Sequence, residues 1–346
     1  MTEFAPRALA TGIGSMPHPD TQQAMRVMFQ NFSTLPYWPQ LPKRDFRENM
    51  YAQFSEDLVG IKLDTAQELL SVVINDDTLA QVEGFYARYL EENSILFAVS
   101  PDYADGLYAL RASRDALKNS QWIKGQVTGP ISFGLKVVDQ NLKPMLYDDS
   151  LRDVLVKHLA RKAQWHEKFI SQLGTPITFV DEPSLALIGA SVVALNRDEV
   201  IRDLEEVFSS IQGLKGTHCC GNTDWSLLMA TSVNIISFDA LNYAENLALF
   251  ADDVKQFLNR GGALAWGIVP TVEEDIFSAT ADGLVTRLEA AMNLLVKKGI
   301  DRDLLYERAL ITPACGLGTV SVSAAERAFA LTREVSEKVR KQRGFC

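Results

Sequence analysis

Cysteine and histidine are scarce in this sequence, whose 346 residues contain four of each. Four cysteines in a chain of this length do not make the disulfide framework of a small secreted protein. The first residues, MTEFAPRALATG, also lack the basic stretch followed by an apolar stretch that marks a secretory signal. We therefore expect reduced thiols, free or metal-bound, and a cytoplasmic location.

Basic clusters and long apolar runs are missing as well. The net charge is −10, from 34 Lys and Arg against 44 Asp and Glu, and no basic stripe is available to neutralise phosphates. The sequence therefore lacks the basic surface with which nucleic-acid-binding proteins usually contact phosphates. No apolar run reaches the roughly 18 residues that a membrane-spanning helix needs. The 47% of hydrophobic residues are instead sufficient for a large globular core.

Short apolar runs that end in small, polar or proline residues recur along the chain. They alternate with amphipathic helical patterns, such as those over 151–173 and 282–299. Strands alternating with helices indicate parallel βα units, and eight units predict a (β/α)8 TIM barrel in one domain over 1–346. The eight runs are 8–17, 35–42, 122–130, 176–183, 214–221, 234–240, 263–270 and 309–316.

Two points about this fold stay open in the sequence. A doubly wound open sheet is the alternative, which is disfavoured because no G-x-G-x-x-G or G-x-x-x-x-G-K-[ST] pattern follows the first strand. The stretch 43–121 is too long for a single crossover. We expect an elaborated βα segment there, with its own helices and a strand over SILFAVS (94–100).

The stretch GTHCCGN (216–222) concentrates the scarce residue types. Neighbouring side chains of a strand point to opposite faces, so His218 and Cys220 share a face and Cys219 points away. Cys315 and Asp239 follow two other predicted strands. Imidazole and thiolate ligands select zinc. These four side chains suffice for a tetrahedral site, or three of them hold the ion and leave one position open. The alternative is that the cysteines are small buried residues and the histidine is only hydrogen-bonded.

Five short motifs stand in order at successive predicted strand ends: IGS (13–15), TGP (128–130), DEP (181–183), HCC (218–220) and ACG (314–316). This ordered set resembles the catalytic barrel of cobalamin-independent methionine synthase, in the uroporphyrinogen decarboxylase-like group of barrels. The likeness extends over nearly the whole chain. It implies a zinc ion held by His218, Cys220, Asp239 and Cys315, although the family usually has Glu where this chain has Asp239.

The same resemblance implies a binding site for homocysteine. Family members hold this substrate through the I-G-S turn, here Ile13, Gly14 and Ser15, and through the Asp of D-E-P, here Asp181. Plain structural roles are the alternatives, with a tight turn for the first motif and a helix start for the second.

Three departures from the family pattern bear on the substrate. The family's H-G-E, whose Glu helps to hold the substrate amine, is replaced by PQLP (39–42), leaving Gln40 or Glu48 as its substitute. The family's histidine proton donor after the seventh strand is missing from GIVPTVEE (267–274). A second, folate-holding N-terminal barrel finds no room in 346 residues.

The resulting hypothesis is a zinc-dependent methyltransferase that converts homocysteine, or a related small thiol, to its methyl thioether. A corrinoid-bound methyl group, carried by a corrinoid protein, is the favoured donor because the folate-handling features are missing. One alternative is a decarboxylase of the porphyrin type, although the first segment offers only Arg7 and Arg26 for the arginines this requires. The other is a non-catalytic metal- or corrinoid-binding accessory protein.

The remaining histidines and the last cysteine are expected to lie outside the chemistry. His158 and His166 stand eight apart on one predicted helix, where surface or packing roles fit. His18 lies near the first strand end, so a place in the site is a further alternative for it. Cys346, the last residue, is expected to be exposed and without a role.

Overall fold

A parallel sheet forms the centre of the molecule. The structure is a computed structural model, and it describes residues 4–188 and 195–345; Cys346 lies outside these ranges. The described strands are β1 (Leu9–Ala10), β2 (Ile61–Asp64), β3 (Leu69–Val72), β4 (Ile123–Thr128), β5 (Pro176–Asp181), β6 (Leu214–Cys219), β7 (Ile235–Asp239), β8 (Ala263–Val269) and β9 (Ala309–Pro313).

Seven of these strands pair in parallel in the order β1-β9-β8-β7-β6-β5-β4. All seven fall within the apolar runs that the sequence singles out. The sheet curls, and its helices cover it, so the predicted α/β barrel class is confirmed. The remaining run, 35–42, forms no regular strand.

The segment 35–42 nevertheless occupies the eighth position, between the two edges of the sheet. Gln40 forms a parallel bridge with Ser15, just after β1, and Tyr37 forms one with Lys124 of β4. Pro36 and Pro39 have no N–H to donate to a ladder, so a continuous strand cannot form here. The closure therefore depends on isolated bridges rather than on regular pairing.

Helices surround the sheet between successive strands. In the described ranges no helix combines the length and the apolar character needed to cross a membrane. The α-helices are α1 (Thr21–Phe32), α2 (Thr78–Leu90), α3 (Asp105–Ala112), α4 (Pro130–Lys136), α5 (Asp149–Ser171), α6 (Arg197–Ser209), α7 (Trp225–Met229), α8 (Ala240–Leu247), α9 (Ala251–Asn259), α10 (Glu273–Ser278), α11 (Ala281–Val296), α12 (Arg302–Glu307) and α13 (Val322–Arg343).

The stretch 43–121 is an elaborated segment, as expected, and it contains the β2–β3 hairpin together with α2 and α3. The strand predicted over 94–100 is wrong, because Ser94–Phe97 forms a short 3-10 helix. Phe97 is buried there, with its ring 6.0 Å from that of Phe85 on α2. A short apolar run has the same composition in a strand and in a buried turn, so periodicity alone does not separate them.

The interior of the barrel changes from apolar to polar along the strands. Inward side chains near the strand starts form a separate apolar cluster, which includes Phe179 of β5 and Ile235 of β7. Two residues further along the same strands stand Asp181 and Ser237, and both are buried. The polar layer therefore faces the carboxyl ends of the strands, where barrel enzymes carry their active sites.

Candidate active site

His218, Cys220 and Cys315 converge at the carboxyl ends of β6 and β9. One ligand atom from each lies within 4.8 Å of the others. Cys219 is fully buried on the other side of β6, with its Sγ 3.6 Å from the Gly221 carbonyl oxygen. The alternation of side chains along the strand thus separates Cys219 from the two cysteines of the cluster.

Each of the three side chains of this cluster offers an atom that can ligate a metal ion. His218 Nδ1 lies 2.9 Å from Ser237 Oγ, while the buried Nε2 has no partner within the described chain. When Nδ1–H donates to Ser237, Nε2 presents its lone pair, which is the arrangement of a metal-ligating histidine. The Cys315 thiol donates a hydrogen bond to Cys220, and this lowers the pKa of Cys220. The same hydrogen bond raises the pKa of Cys315.

This donor set fits zinc. Two sulfurs and one imidazole nitrogen are ligands that zinc prefers, and three protein ligands leave a fourth position for a substrate atom. The orphaned Nε2 of His218 agrees with that role, because a buried polar atom without a partner is otherwise costly. The chemistry of these residues therefore fits a zinc ion.

Asp239 stands apart from the cluster. Its carboxylate caps α8, accepting from Asn242 N at 3.1 Å and from Asn242 Nδ2 at 2.7 Å. Its side chain lines a neighbouring cavity of about 460 Å³, together with Pro270 and Thr271. The spacing D-x-x-N at a helix start is a capping pattern that can be recognised in the sequence. As a zinc ligand Asp239 stays a prediction.

A cavity of about 410 Å³ opens beside the cluster. It brings together most of the side chains that the sequence assigns to substrate and metal. Its walls also include residues from 42–50 and from the β2–β3 hairpin, which the sequence did not assign to the site. The lining residues are Ile13, Ser15, Gln40, Pro42, Lys43, Phe46, Asn49, Met50, Glu68, Asp181, Pro183, His218, Cys220, Cys315, Gly316, Gly318 and Thr319.

The turn at 13–15 keeps its carbonyl groups occupied and its N–H groups free. The Gly14 carbonyl accepts from Gln40 N at 3.0 Å, and the Ser15 carbonyl accepts from Leu317 N at 3.1 Å. Within the described ranges, no acceptor takes the N–H of Gly14 or of Ser15. Free N–H groups beside the hydroxyl of Ser15 suit an anionic group such as a carboxylate.

Gly14 is required for the shape of this turn. Its φ is +151°, and an added Cβ would lie 2.8 Å from Gln126 Cδ and 3.0 Å from Gln40 Oε1. We expect Gly14→Ala to lower the free energy of unfolding by about 1–3 kcal/mol, as strained backbone positions do. Urea denaturation measures this change. Gly84→Ala is the control, because that helical glycine has nothing within 4 Å and alanine there should stabilise the protein. A Gly14→Ala protein as stable as the wild type would contradict the prediction.

Asp181 supplies a buried negative group to the cavity. Its Oδ1 has no hydrogen-bond partner in the described chain. Burial raises the pKa of Asp181, and the positive charge of Lys124 opposes that shift. A cationic group of a ligand would satisfy this oxygen and favour the ionised carboxylate.

Gln40, rather than Glu48, reaches the cavity. Gln40 accepts from Ser15 Oγ at 3.3 Å and donates to Gln53 Oε1 at 2.7 Å. Glu48 is buried away from the cavity lining, where it accepts from Leu41 N at 3.2 Å and pairs with Arg44. Burial raises the pKa of Glu48 to about 7. Of the two candidates for the amine-binding Glu of the family, only Gln40 contacts the site.

The histidines outside the cluster have packing roles. His166 accepts from Trp38 Nε1 at 2.9 Å, and His158 lies 3.0 Å from the Phe54 carbonyl oxygen, both wholly inside the protein. His18 pairs with Glu326 at 3.4 Å and is not part of the cavity lining. Of the two expectations for His158 and His166, packing is confirmed and surface exposure is wrong.

Glu182 is a buried acid beside the site that the sequence did not assign. It accepts from the backbone N–H groups of Ile131 and Ser132 at 2.9 and 2.7 Å, and from Ser132 Oγ at 2.6 Å. It therefore holds the start of α4, and burial raises its pKa to about 7. Within DEP, Asp181 faces the cavity, and Glu182 fixes the adjoining helix.

Comparisons with known proteins find similarity in structure rather than in sequence. No protein-family profile matches the chain, and a search among curated proteins found no similar sequence. A B12-independent methionine synthase from Shewanella sp. W3-18-1, solved in complex with selenomethionine, superposes with a TM-score of 0.62 at 16% identity, covering 98% of this chain and 100% of the other. A methyltransferase from Methanosarcina mazei gives 0.54 at 12% identity, covering 96% and 94%. At these identities the similarity is one of fold.

Proposed function

We propose that this protein is a zinc-dependent methyltransferase whose acceptor is the thiol of homocysteine, giving methionine. One observation carries the proposal. The Cys220–Cys315–His218 cluster shares a single cavity with an unpaired buried carboxylate and with a turn whose N–H groups are free. These features match the thiol, the ammonium group and the carboxylate of an amino acid that carries a thiol.

The amino-acid end of the substrate is held by charge and by backbone donors. Asp181 pairs with the ammonium group, which satisfies its free Oδ1. The N–H groups of Gly14 and Ser15, with the Ser15 hydroxyl, bind the carboxylate. Holding both groups fixes the direction of the side chain, so that the thiol reaches the cysteine–histidine cluster.

The thiol end needs a nucleophile at neutral pH. A free thiol has a pKa near ~8.5 and is mostly protonated there. Bound zinc would supply a cation that keeps the acceptor sulfur in its thiolate form. The role of Cys220, Cys315 and His218 is to provide three ligands and to leave one direction open to the acceptor. The methyl group then moves to sulfur, while the electron pair of the broken bond stays with the donor.

The structural neighbours support a methyl-transfer function. One is described as a methionine synthase bound to selenomethionine, the selenium analogue of the proposed product, and the other as a methyltransferase. The decarboxylase alternative finds less support, because no arginine lines the cavity in the described ranges. A non-catalytic metal- or corrinoid-binding protein is distinguished by an assay for methyl transfer to homocysteine.

We further propose that the methyl donor is a methylated corrinoid, presented by a corrinoid protein. A methyl group on a folate nitrogen leaves behind a strongly basic nitrogen, so its transfer needs a proton. The end of β8 reads Val269-Pro270-Thr271 and offers no histidine for that step. A methyl group on cobalt leaves without a proton. The 43–121 segment contributes Lys43 and Glu68 to the cavity lining, and we propose it as the face that such a partner contacts.

Binding of homocysteine tests the acceptor. The zinc-loaded protein should bind it with release of a proton near neutral pH, and X-ray absorption should show an added sulfur ligand. Asp181→Asn should weaken binding by about 10- to 100-fold, the usual effect of losing a charge-assisted hydrogen bond, while zinc content stays unchanged. Isothermal titration gives the affinities.

A matched ligand sharpens this test of Asp181. Homocysteine without its amine, 4-mercaptobutyrate, offers nothing for Asp181 to pair with. It should bind Asp181→Asn at least as well as the wild type. If Asp181→Asn binds homocysteine as tightly as the wild type, or loses both thiols equally, the pairing of Asp181 with the ammonium group is wrong.

A further inference from the structure

Lys124 is a charged residue inside the barrel, below the active-site cavity. It stands on β4 with 1% of its surface exposed, and it does not line the cavity. None of the ion pairs in the described ranges involves it. An unpaired ammonium group in a protein interior is costly, and burial lowers the pKa of Lys124 to about 8. Because burying this ammonium group is unfavourable, we expect Lys124 to have a specific role.

The contacts of Lys124 lead to the substrate-binding turn. Its Nζ donates to the Ile13 carbonyl oxygen at 2.5 Å and to Gln126 Oε1 at 3.4 Å. It also lies 4.5 Å from the centre of the Phe179 ring. Gln126, in turn, packs where a Cβ on Gly14 would stand. Two inward side chains of β4 thus support the turn from below.

The hydrogen bond to Ile13 completes the orientation of the turn. With the Ile13 carbonyl held by Lys124, and those of Gly14 and Ser15 held by backbone N–H groups, every carbonyl of the turn is engaged away from the ligand. The N–H groups of Gly14 and Ser15 then remain available together. Without the ammonium group, the Ile13 carbonyl would lose its partner and the peptide plane between Ile13 and Gly14 could rotate.

We propose that Lys124 is a positioning residue: its ammonium group fixes the Ile13 carbonyl and thereby sets the N–H groups that hold the carboxylate of the substrate. This inference rests on the proposed function, because it concerns the carboxylate of an amino-acid thiol in the same cavity. Asp181 serves the ammonium group instead. The two residues should therefore affect different parts of the ligand.

Three thiols separate these effects in the zinc-loaded protein. They are homocysteine, 4-mercaptobutyrate, which lacks the amine, and 3-aminopropane-1-thiol, which lacks the carboxylate. Lys124→Met should weaken the binding of the two carboxylate-bearing thiols by about 10-fold or more, as loss of hydrogen bonds to a charged group does. It should change the binding of the aminothiol by no more than about 3-fold. Lys124 acts on that end of the ligand only through its charge, which favours the ionised form of Asp181 and also repels the ammonium group of the ligand, and these two effects oppose each other. Asp181→Asn should weaken homocysteine and the aminothiol and spare 4-mercaptobutyrate.

Lys162 supplies the matched control. It is also a fully buried lysine whose pKa burial lowers to about 8, and its Nζ donates to a backbone carbonyl, that of Ala98, at 3.2 Å. It lies on α5, away from the cavity lining. Lys162→Met should change none of the three affinities. If Lys124→Met does not fold, Lys124→Gln, with a stem too short to keep the 2.5 Å contact, should show the same selective loss.

The outcomes distinguish the two proposals. If the wild-type zinc protein binds none of the three thiols, the proposed function fails and this inference fails with it. If the wild type binds them and Lys124→Met binds the carboxylate-bearing thiols equally well, only the role of Lys124 is wrong. An equal loss of all three thiols would show a general disturbance of the site and would also overturn the positioning role.

Discussion

Cys220→Ser and Cys315→Ser should each abolish zinc binding, while Cys219→Ser should leave it intact. A serine hydroxyl is not ionised near neutral pH and replaces a thiolate ligand poorly. Loss of one of three protein ligands should lower the affinity by more than about 100-fold, since second-shell changes alone reach that size. Metal content after dialysis and competition with a chromophoric chelator measure the effect. The wild type should retain one zinc per chain.

Cys219→Ser is the matched control for this experiment. Cys219 is adjacent to Cys220 in sequence, but it is buried on the opposite face of β6 and burial raises its thiol pKa to about 12. An equal loss of zinc in all three variants would overturn the assignment of ligands. Asp239→Asn addresses the fourth position, because asparagine caps a helix as well as aspartate does. Any loss of zinc from that variant would identify Asp239 as a ligand.

Methionine formation should depend on a methylated corrinoid, as methylcobalamin or on a corrinoid protein, and should not occur with methyltetrahydrofolate. The cobalt–carbon bond breaks with its electron pair left on cobalt, so no proton is required. The folate nitrogen leaves only when protonated. The chain carries Val269, Pro270 and Thr271 where the resembling family places a histidine. We expect measurable methionine formation with the methylated corrinoid and none with methyltetrahydrofolate.

The two donors should be compared on the same zinc-loaded preparation, with methionine yield as the measurement. The variant Thr271→His, which introduces a histidine at this position, should be assayed with the same two donors. If a missing proton donor is the reason for the selectivity, this variant should gain folate-dependent activity and keep its corrinoid activity. Turnover of the wild type with the folate and none with the corrinoid would reject the corrinoid proposal.

Much of the cluster was predictable because β-strands alternate. A strand over 214–221 places His218 and Cys220 on one side and Cys219 on the other, without any knowledge of the rest of the fold. Cys315 was predictable as their neighbour, because parallel strands bring their carboxyl ends to one edge. Asp239 also lies at a strand end, yet the local capping pattern with Asn242 engages its carboxylate. Strand position therefore predicts proximity and not the direction of each side chain.

The sequence by itself determined where the seven strands of the parallel sheet lie in the chain, the strand ends at which the site residues stand and the separation of Cys219 from Cys220. These follow from local periodicity, which acts over a few residues. Only the tertiary structure decided that Lys124 supports the turn at Ile13, 111 positions away, and that Gln40 rather than Glu48 enters the cavity. The same holds for the irregular eighth position at 35–42 and for the turn at 94–97. Such contacts join residues far apart in the chain, and their geometry is set by packing, which local patterns do not encode.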